Sequence, residues 1–332
     1  LIALTNRIAH VGMDAIMCAM MNGCQWQLRH DTVSLEKLHS YLRECERQDH
    51  RSFYAIPEEN QTLIPPAWRR DGNLLSWNSP MESPHSENNT ARARLYEINK
   101  PSGAPTLILL HSLMSANDFG YRRIAERFNK KGWNVVFPHL PYHYTRRAKG
   151  YWNGALTITS DLIRNAETLR QSVIELRQIM AWARQRGSTR IALLATSYGA
   201  WVASLSLSLE VTDFTILLQP VADVRHATFK SPASSMMSAL LLRNKIYPDL
   251  IARHAHLSSP TQVTPLTAPR RITIIGGRYD RLSPSESLKS LCEIWGGAHY
   301  REVPQGHFGY CAMRCALEES DYYLSHPPTY QN

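Results

Sequence analysis

Three residue types suited to nucleophilic acyl chemistry stand in one order along the chain. Ser197 lies in Ala195-Thr196-Ser197-Tyr198-Gly199, Asp280 ends Gly276-Gly277-Arg278-Tyr279-Asp280, and His307 lies in Gly306-His307-Phe308-Gly309. A serine hydroxyl is a poor nucleophile at neutral pH. It needs a base to take its proton, and the base needs a carboxylate to orient it and stabilise its cation. Singly, none of the three is diagnostic, because serine often caps a helix and Asp and His are ordinary loop residues. Their order and placement are what point to a triad, since each follows a short run that reads as a strand: 191–195, 271–277 and 299–303. The residues two places either side of Ser197 are small, as a sharp strand-to-helix turn requires where two backbones pass closely. Gly199 meets that need fully, and Ala195 adds one methyl. Asp223, after the apolar run 214–218, is the alternative acid.

Acyl transfer also needs donors where negative charge develops on the carbonyl oxygen. The N–H of Tyr198, directly after the nucleophile at a helix start, is one candidate. The turn after the apolar run 106–110 supplies the other, Leu113 before Ser112, with His111 bracing the loop. Competing chemistry is poorly supported. His139 and His143 have a metal-like spacing, but Pro138 and Pro141 disfavour the helix that would align them. Cys311 and Cys315 lie four apart beyond His307 without a C-x-x-C pair, and read as core cysteines of a last helix rather than a metal site. No phosphate-cradling glycine loop occurs, so neither a metal nor a nucleotide cofactor is expected.

Composition bounds the rest. The 332 residues are 43% hydrophobic and 20% charged, as in a water-soluble globular protein with a sizeable core. Six cysteines without a scaffold rhythm read as thiols. A net charge of +9 favours anionic surfaces or substrates, including peripheral attraction to an anionic membrane surface. The basic residues are scattered and no nucleic-acid motif accompanies them. Arg7, His10 and Asp14 interrupt the apolar start of the chain, which lacks the pattern of a signal peptide, and the expectation is a cytoplasmic protein.

These groups need elements to position them. From residue 105 onward, continuous apolar runs alternate with helical stretches, which implies an α/β fold with a largely parallel sheet covered on both faces. Residues 74–77 and 91–98 read as its antiparallel start. Residues 1–72 read as an N-terminal helical extension that ends near Pro65–Pro66 and contains an amphipathic helix capped by Ser34, with Leu35, Leu38 and Leu42 on one face. The segment 222–269, too long for an ordinary connection, reads as a helical cap over the C-terminal strand ends within a domain spanning 73–332.

His111-Ser112-Leu113, the ATSYG and GGRYD stretches and the GHFG loop together resemble the α/β-hydrolase superfamily over about residues 74–325. The resemblance implies an eight-stranded, mostly parallel sheet and a Ser197–His307–Asp280 triad, without a cofactor. It departs from the family pattern twice. His111-Ser112 replaces His-Gly, placing Ser112 at the oxyanion hole, and Pro138–Arg147 replaces an Asp-x-x-Gly-x-Gly loop. The latter is expected to project Tyr142, His143 and Arg146 towards the substrate. The implied activity is serine hydrolysis of a carboxylic ester or thioester. Acyl transfer by the same triad and a non-catalytic binding role are the alternatives. The Met- and Leu-rich piece within 222–269 suggests an apolar, lipid-like acyl chain.

Overall fold

The computed structural model describes residues 2–57 and 68–327, with the side chains of 2–6 left aside. The Pro65–Pro66 pair lies outside the described residues. In chain order the elements are α1 (Ile2–Gln27), α2 (Leu35–Cys45), α3 (His50–Phe53), β1 (Arg69–Asp71), β2 (Leu74–Asn78), β3 (Thr90–Tyr96) and β4 (Thr106–Leu110). There follow α4 (Phe119–Asn129), β5 (Asn134–His139), α5 (Leu162–Gln185), β6 (Ile191–Thr196), α6 (Tyr198–Ser206) and β7 (Phe214–Leu218). Four short helices, α7 (Val224–Phe229), α8 (Ser235–Arg243), α9 (Pro248–Ala252) and α10 (Ala255–Ser258), precede β8 (Ile272–Gly277), α11 (Ser285–Ile294), β9 (His299–Val303) and α12 (Cys311–Ser325).

The strands form one sheet in the order β1-β2-β3-β5-β4-β6-β7-β8-β9. From β5 to β9 every neighbouring pair is parallel, and β1, β2 and β3 add antiparallel pairs at one edge. The apolar runs explain the centre. Every residue of β4, β5, β7 and β8 is buried, because helices cover both faces. On one face α4 and α12 pack through Ile124, Phe128, Ala316 and Tyr323; on the other α5, α6 and α11 pack through Leu169, Leu176, Val202 and Leu288. β3 alternates between buried and half-buried residues, as a strand covered mainly on one face does.

The sheet has nine strands rather than eight. The extra strand, β1, is three exposed polar residues folded back on β2 through Gly72, whose φ of +56° suits glycine. With no apolar residue it gives no periodic signal, and it falls in the stretch read as N-terminal extension.

That extension packs onto the 222–269 segment. Leu38 and Leu42 of α2 share an apolar cluster with Met237 and Leu241 of α8. α2 begins as its sequence implies, with Ser34 Oγ accepting from the Lys37 N–H (3.3 Å). α1 turns Asn22 and Gln25 inward. Asn22 Nδ2 donates to the Pro232 carbonyl (2.9 Å), and its Oδ1 accepts from the Met236 N–H (2.8 Å). Gln25 Oε1 accepts from the Met237 N–H (3.1 Å). The outward side carries Ile8, Ile16 and Met20, all exposed.

Candidate active site

β6 ends at Thr196, and α6 starts at Tyr198, so the whole reversal is made by Ser197. Its φ of +53° and ψ of −114° are a strained conformation for a residue with a side chain, of the kind retained where surrounding structure enforces it. Two features enforce it. The Ser197 N–H donates to the Leu218 carbonyl of β7 (2.8 Å), and the turn passes so close to β4 that a Cβ on Gly199 would lie 2.5 Å from the His111 carbonyl oxygen. The hydroxyl therefore stands clear of the sheet, without capping α6.

The structure brings Ser197, His307 and Asp280 together. Ser197 Oγ donates to His307 Nε2 (2.8 Å), and His307 Nδ1 donates to Asp280 Oδ2 (2.8 Å), which fixes the neutral ring with its acceptor nitrogen towards the serine. Asp280 is oriented in turn. Its Oδ1 accepts from the N–H groups of Leu282 (2.8 Å) and Ser283 (2.9 Å), and its Oδ2 from Gln219 Nε2 (2.6 Å). Burial opposes a charged His307, but the facing Asp280 carboxylate, with a smaller contribution from Asp14, outweighs it and holds the imidazole above its ordinary value. Asp223, the alternative acid, is exposed and caps α7 by accepting from the His226 N–H (3.0 Å).

Two residues beside Ser197, His307 and Asp280 escape sequence reasoning. Gln219 follows β7 with a φ of +50° and bridges Asp280 to the Gly306 carbonyl (2.8 Å). Asp14, from the middle of α1, accepts from the N–H groups of His307 (2.8 Å) and Phe308 (3.1 Å). A signal for α1 exists in the sequence. His10, Asp14, Asn22 and Gln25 fall on one helical face, a pattern easily taken for interruptions of an apolar stretch.

The two candidate oxyanion donors flank the same cavity as Ser197. Tyr198 is the first residue of α6, so its N–H has no partner within the helix. In the loop after β4, the Ser112 N–H donates to Tyr121 Oη (3.2 Å) and the Met114 N–H to His143 Nε2 (3.0 Å). Among the described residues the Leu113 N–H between them has no hydrogen-bond acceptor. His111, fully buried, donates from Nδ1 to the Ser112 carbonyl (2.8 Å), and its Nε2 accepts from the Leu140 N–H (3.1 Å).

Tyr142, His143 and Arg146 do not reach the cavity; all three are buried within the scaffold. Arg146 pairs with Glu175 of α5 and donates to the carbonyls of His139 (3.1 Å) and Asn88 (2.6 Å). His143 donates from Nδ1 to the Pro141 carbonyl (2.8 Å), and a Cβ on Gly154 would lie 2.3 Å from its Nε2. Burial pushes its ring down to about 4, so it is a neutral acceptor that holds Met114 in place. The physical reason is that a buried backbone turn must find partners for its own polar groups, and Arg146 and His143 supply them. Ser112, by contrast, lines the cavity.

The cavity has a volume of about 1080 Å³ and a mainly apolar wall. α2 contributes Leu38 and Leu42, α5 Leu162 and Leu169, and the 222–269 segment Met237 and Ile251. Met13 and Tyr310, both exposed, also border it, so it opens to solvent between α1 and the start of α12. Among the described residues, no helix is long and apolar enough to cross a membrane.

No protein-family model and no curated protein sequence matches the chain. Solved structures do. The acylaminoacyl peptidase of Pyrococcus horikoshii superposes with a TM-score of 0.54 at 12% identity, over 81% of this chain and 43% of that one. The α/β-hydrolase GrgF from Penicillium sp. sh18 gives 0.53 at 13% identity, over 76% of this chain and 98% of that one. DcsB, solved with its substrate analogue, gives 0.50 at 12% identity, over 72% and 96%. The chain spans less than half the length of the peptidase it resembles. The parallel sheet with helices on both faces, the strand order and these likenesses show that the chain has the α/β-hydrolase fold.

Proposed function

We propose that the protein is a serine hydrolase that cleaves a carboxylic ester or thioester through an acyl-enzyme. Ser197 Oγ attacks the carbonyl carbon as its proton passes to His307 Nε2. Asp280 stabilises the imidazolium, and the N–H groups of Tyr198 and Leu113 hold the oxyanion. Collapse of the tetrahedral intermediate expels the alcohol or thiol, which takes the proton from His307. Water then enters, gives a proton to the same nitrogen and releases the acid.

The observation that carries this reading is the 2.8 Å contact from Ser197 Oγ, at its strained elbow, to a His307 ring already oriented by Asp280. The structural neighbours include an acylaminoacyl peptidase, so hydrolytic chemistry agrees with the fold, while the ester rests on the apolar cavity. A long or bulky apolar acyl group suits that wall. The test is labelling with a fluorophosphonate probe. The wild-type protein is expected to label and Ser197→Ala to lose labelling entirely; equal labelling of the mutant sinks the proposal. An ester panel of increasing acyl length then defines the substrate.

A further inference from the structure

The loop between β9 and α12 carries His307, and its backbone must be held if the ring is to stay on Ser197. From the sheet side, Gln219 Nε2 binds the Gly306 carbonyl (2.8 Å). From the opposite side, one carboxylate takes two consecutive N–H groups: Asp14 Oδ2 from His307 (2.8 Å) and Asp14 Oδ1 from Phe308 (3.1 Å). Two bonds to one rigid carboxylate fix both the position and the tilt of that peptide. Gly306, just before His307, makes room for α1: a Cβ there would lie 2.3 Å from Asp14 Oδ2.

Asp14 is 6% exposed, and among the described residues no Lys or Arg pairs with it. A buried carboxylate without a cation is costly, and attachment of α1 alone does not call for one, since Asn22 and Gln25 already fasten the helix with neutral amides. We infer that Asp14 is a positioning residue for His307, which makes the N-terminal helix α1 a working part of the active site. The inference rests on the serine-hydrolase reading for its rate measurements. It is independent of that reading for the geometry of the ring.

The experiment compares full-length wild type with Asp14→Ala, Asp14→Asn and Asn22→Ala. Asn22→Ala loosens α1 from the 222–269 segment without touching the His307 loop. Three quantities are read: the rate of fluorophosphonate labelling, kcat and KM on p-nitrophenyl butyrate, and the titration midpoint of the His307 ring by NMR. The groups facing that ring are Asp280 and Asp14. Asp14→Ala is expected to slow labelling and kcat by about 10–100-fold with KM little changed, the size of effect that a misplacement near 1 Å produces. Asp14→Asn, which keeps one acceptor, should fall between. The His307 midpoint should drop in both, and Asn22→Ala should match wild type in rate even where it melts earlier. Wild-type rates and midpoint in a folded Asp14→Ala overturn the inference. If that variant does not fold, Asp14→Asn decides by the same readings. A wild type that refuses the probe defeats the serine reading instead, and the His307 midpoint alone then decides the role of Asp14.

Discussion

Two loops of this molecule offer similar chemistry on paper. Residues 138–147 contain two histidines, two tyrosines and two arginines; residues 304–310 contain one histidine between two glycines. The richer loop turns most of these side chains inward, where Arg146 meets Glu175 and His143 holds Met114. The poorer loop holds its histidine on Ser197 and takes its support from Gln219 and Asp14, both far away in sequence. What separates them is who satisfies the backbone. A loop that must solvate its own buried turn uses up its polar side chains. A loop braced by other elements leaves its side chain available for reaction.

The comparison can be broken at its strongest point first. Arg146→Ala strands Glu175 in the interior, and is expected to destabilise the fold by about 3–5 kcal/mol in urea unfolding. The labelling rate per folded molecule should stay at the wild-type value; a selective loss of rate would move Arg146 into the active site. Gly306→Ala tests the other loop. Its new Cβ collides with Asp14, so labelling should slow by about tenfold with little change in melting temperature. Combined with Asp14→Ala, the two losses should fall short of additive, because both act through one contact.

Smaller effects sharpen the picture. Ser197→Gly removes both the hydroxyl and the strain of a positive φ, and should stabilise the protein by about 1–2 kcal/mol while abolishing labelling. An unchanged unfolding midpoint would mean that the elbow stores nothing. The pH profile is subtler still. His307 must be neutral to accept the Ser197 proton, and the facing carboxylates favour its cation against the effect of burial. Activity should therefore fall as pH drops through a midpoint above the ordinary histidine value of about 6.5. A midpoint below that value would show that burial wins.

How much of this was legible in the sequence follows from the range of each interaction. Ser197, Asp280 and His307 each sit at the end of a strand, and strands buried on both faces announce themselves as continuous apolar runs. These three positions could thus be singled out without any knowledge of side-chain contacts. β1 could not, because three exposed polar residues carry no such pattern. The direction of Arg146 depended on Glu175 and the Asn88 carbonyl, partners that only the folded chain brings near. Asp14 lay further out of reach, with its contact spanning 293 positions. The glycines around His307 were visible, but what they made room for was not.

That span has a bearing on how the protein is made. Chains emerge N-terminus first, and a domain generally folds as a unit. α1 is synthesised before the sheet, whereas the loop that its carboxylate holds follows the last strand, β9. Until then Ser197 lacks His307 as a partner, and Asp14 lacks the N–H groups it accepts from. The contact between Ser197 and His307 therefore forms only once the chain beyond β9 has been made.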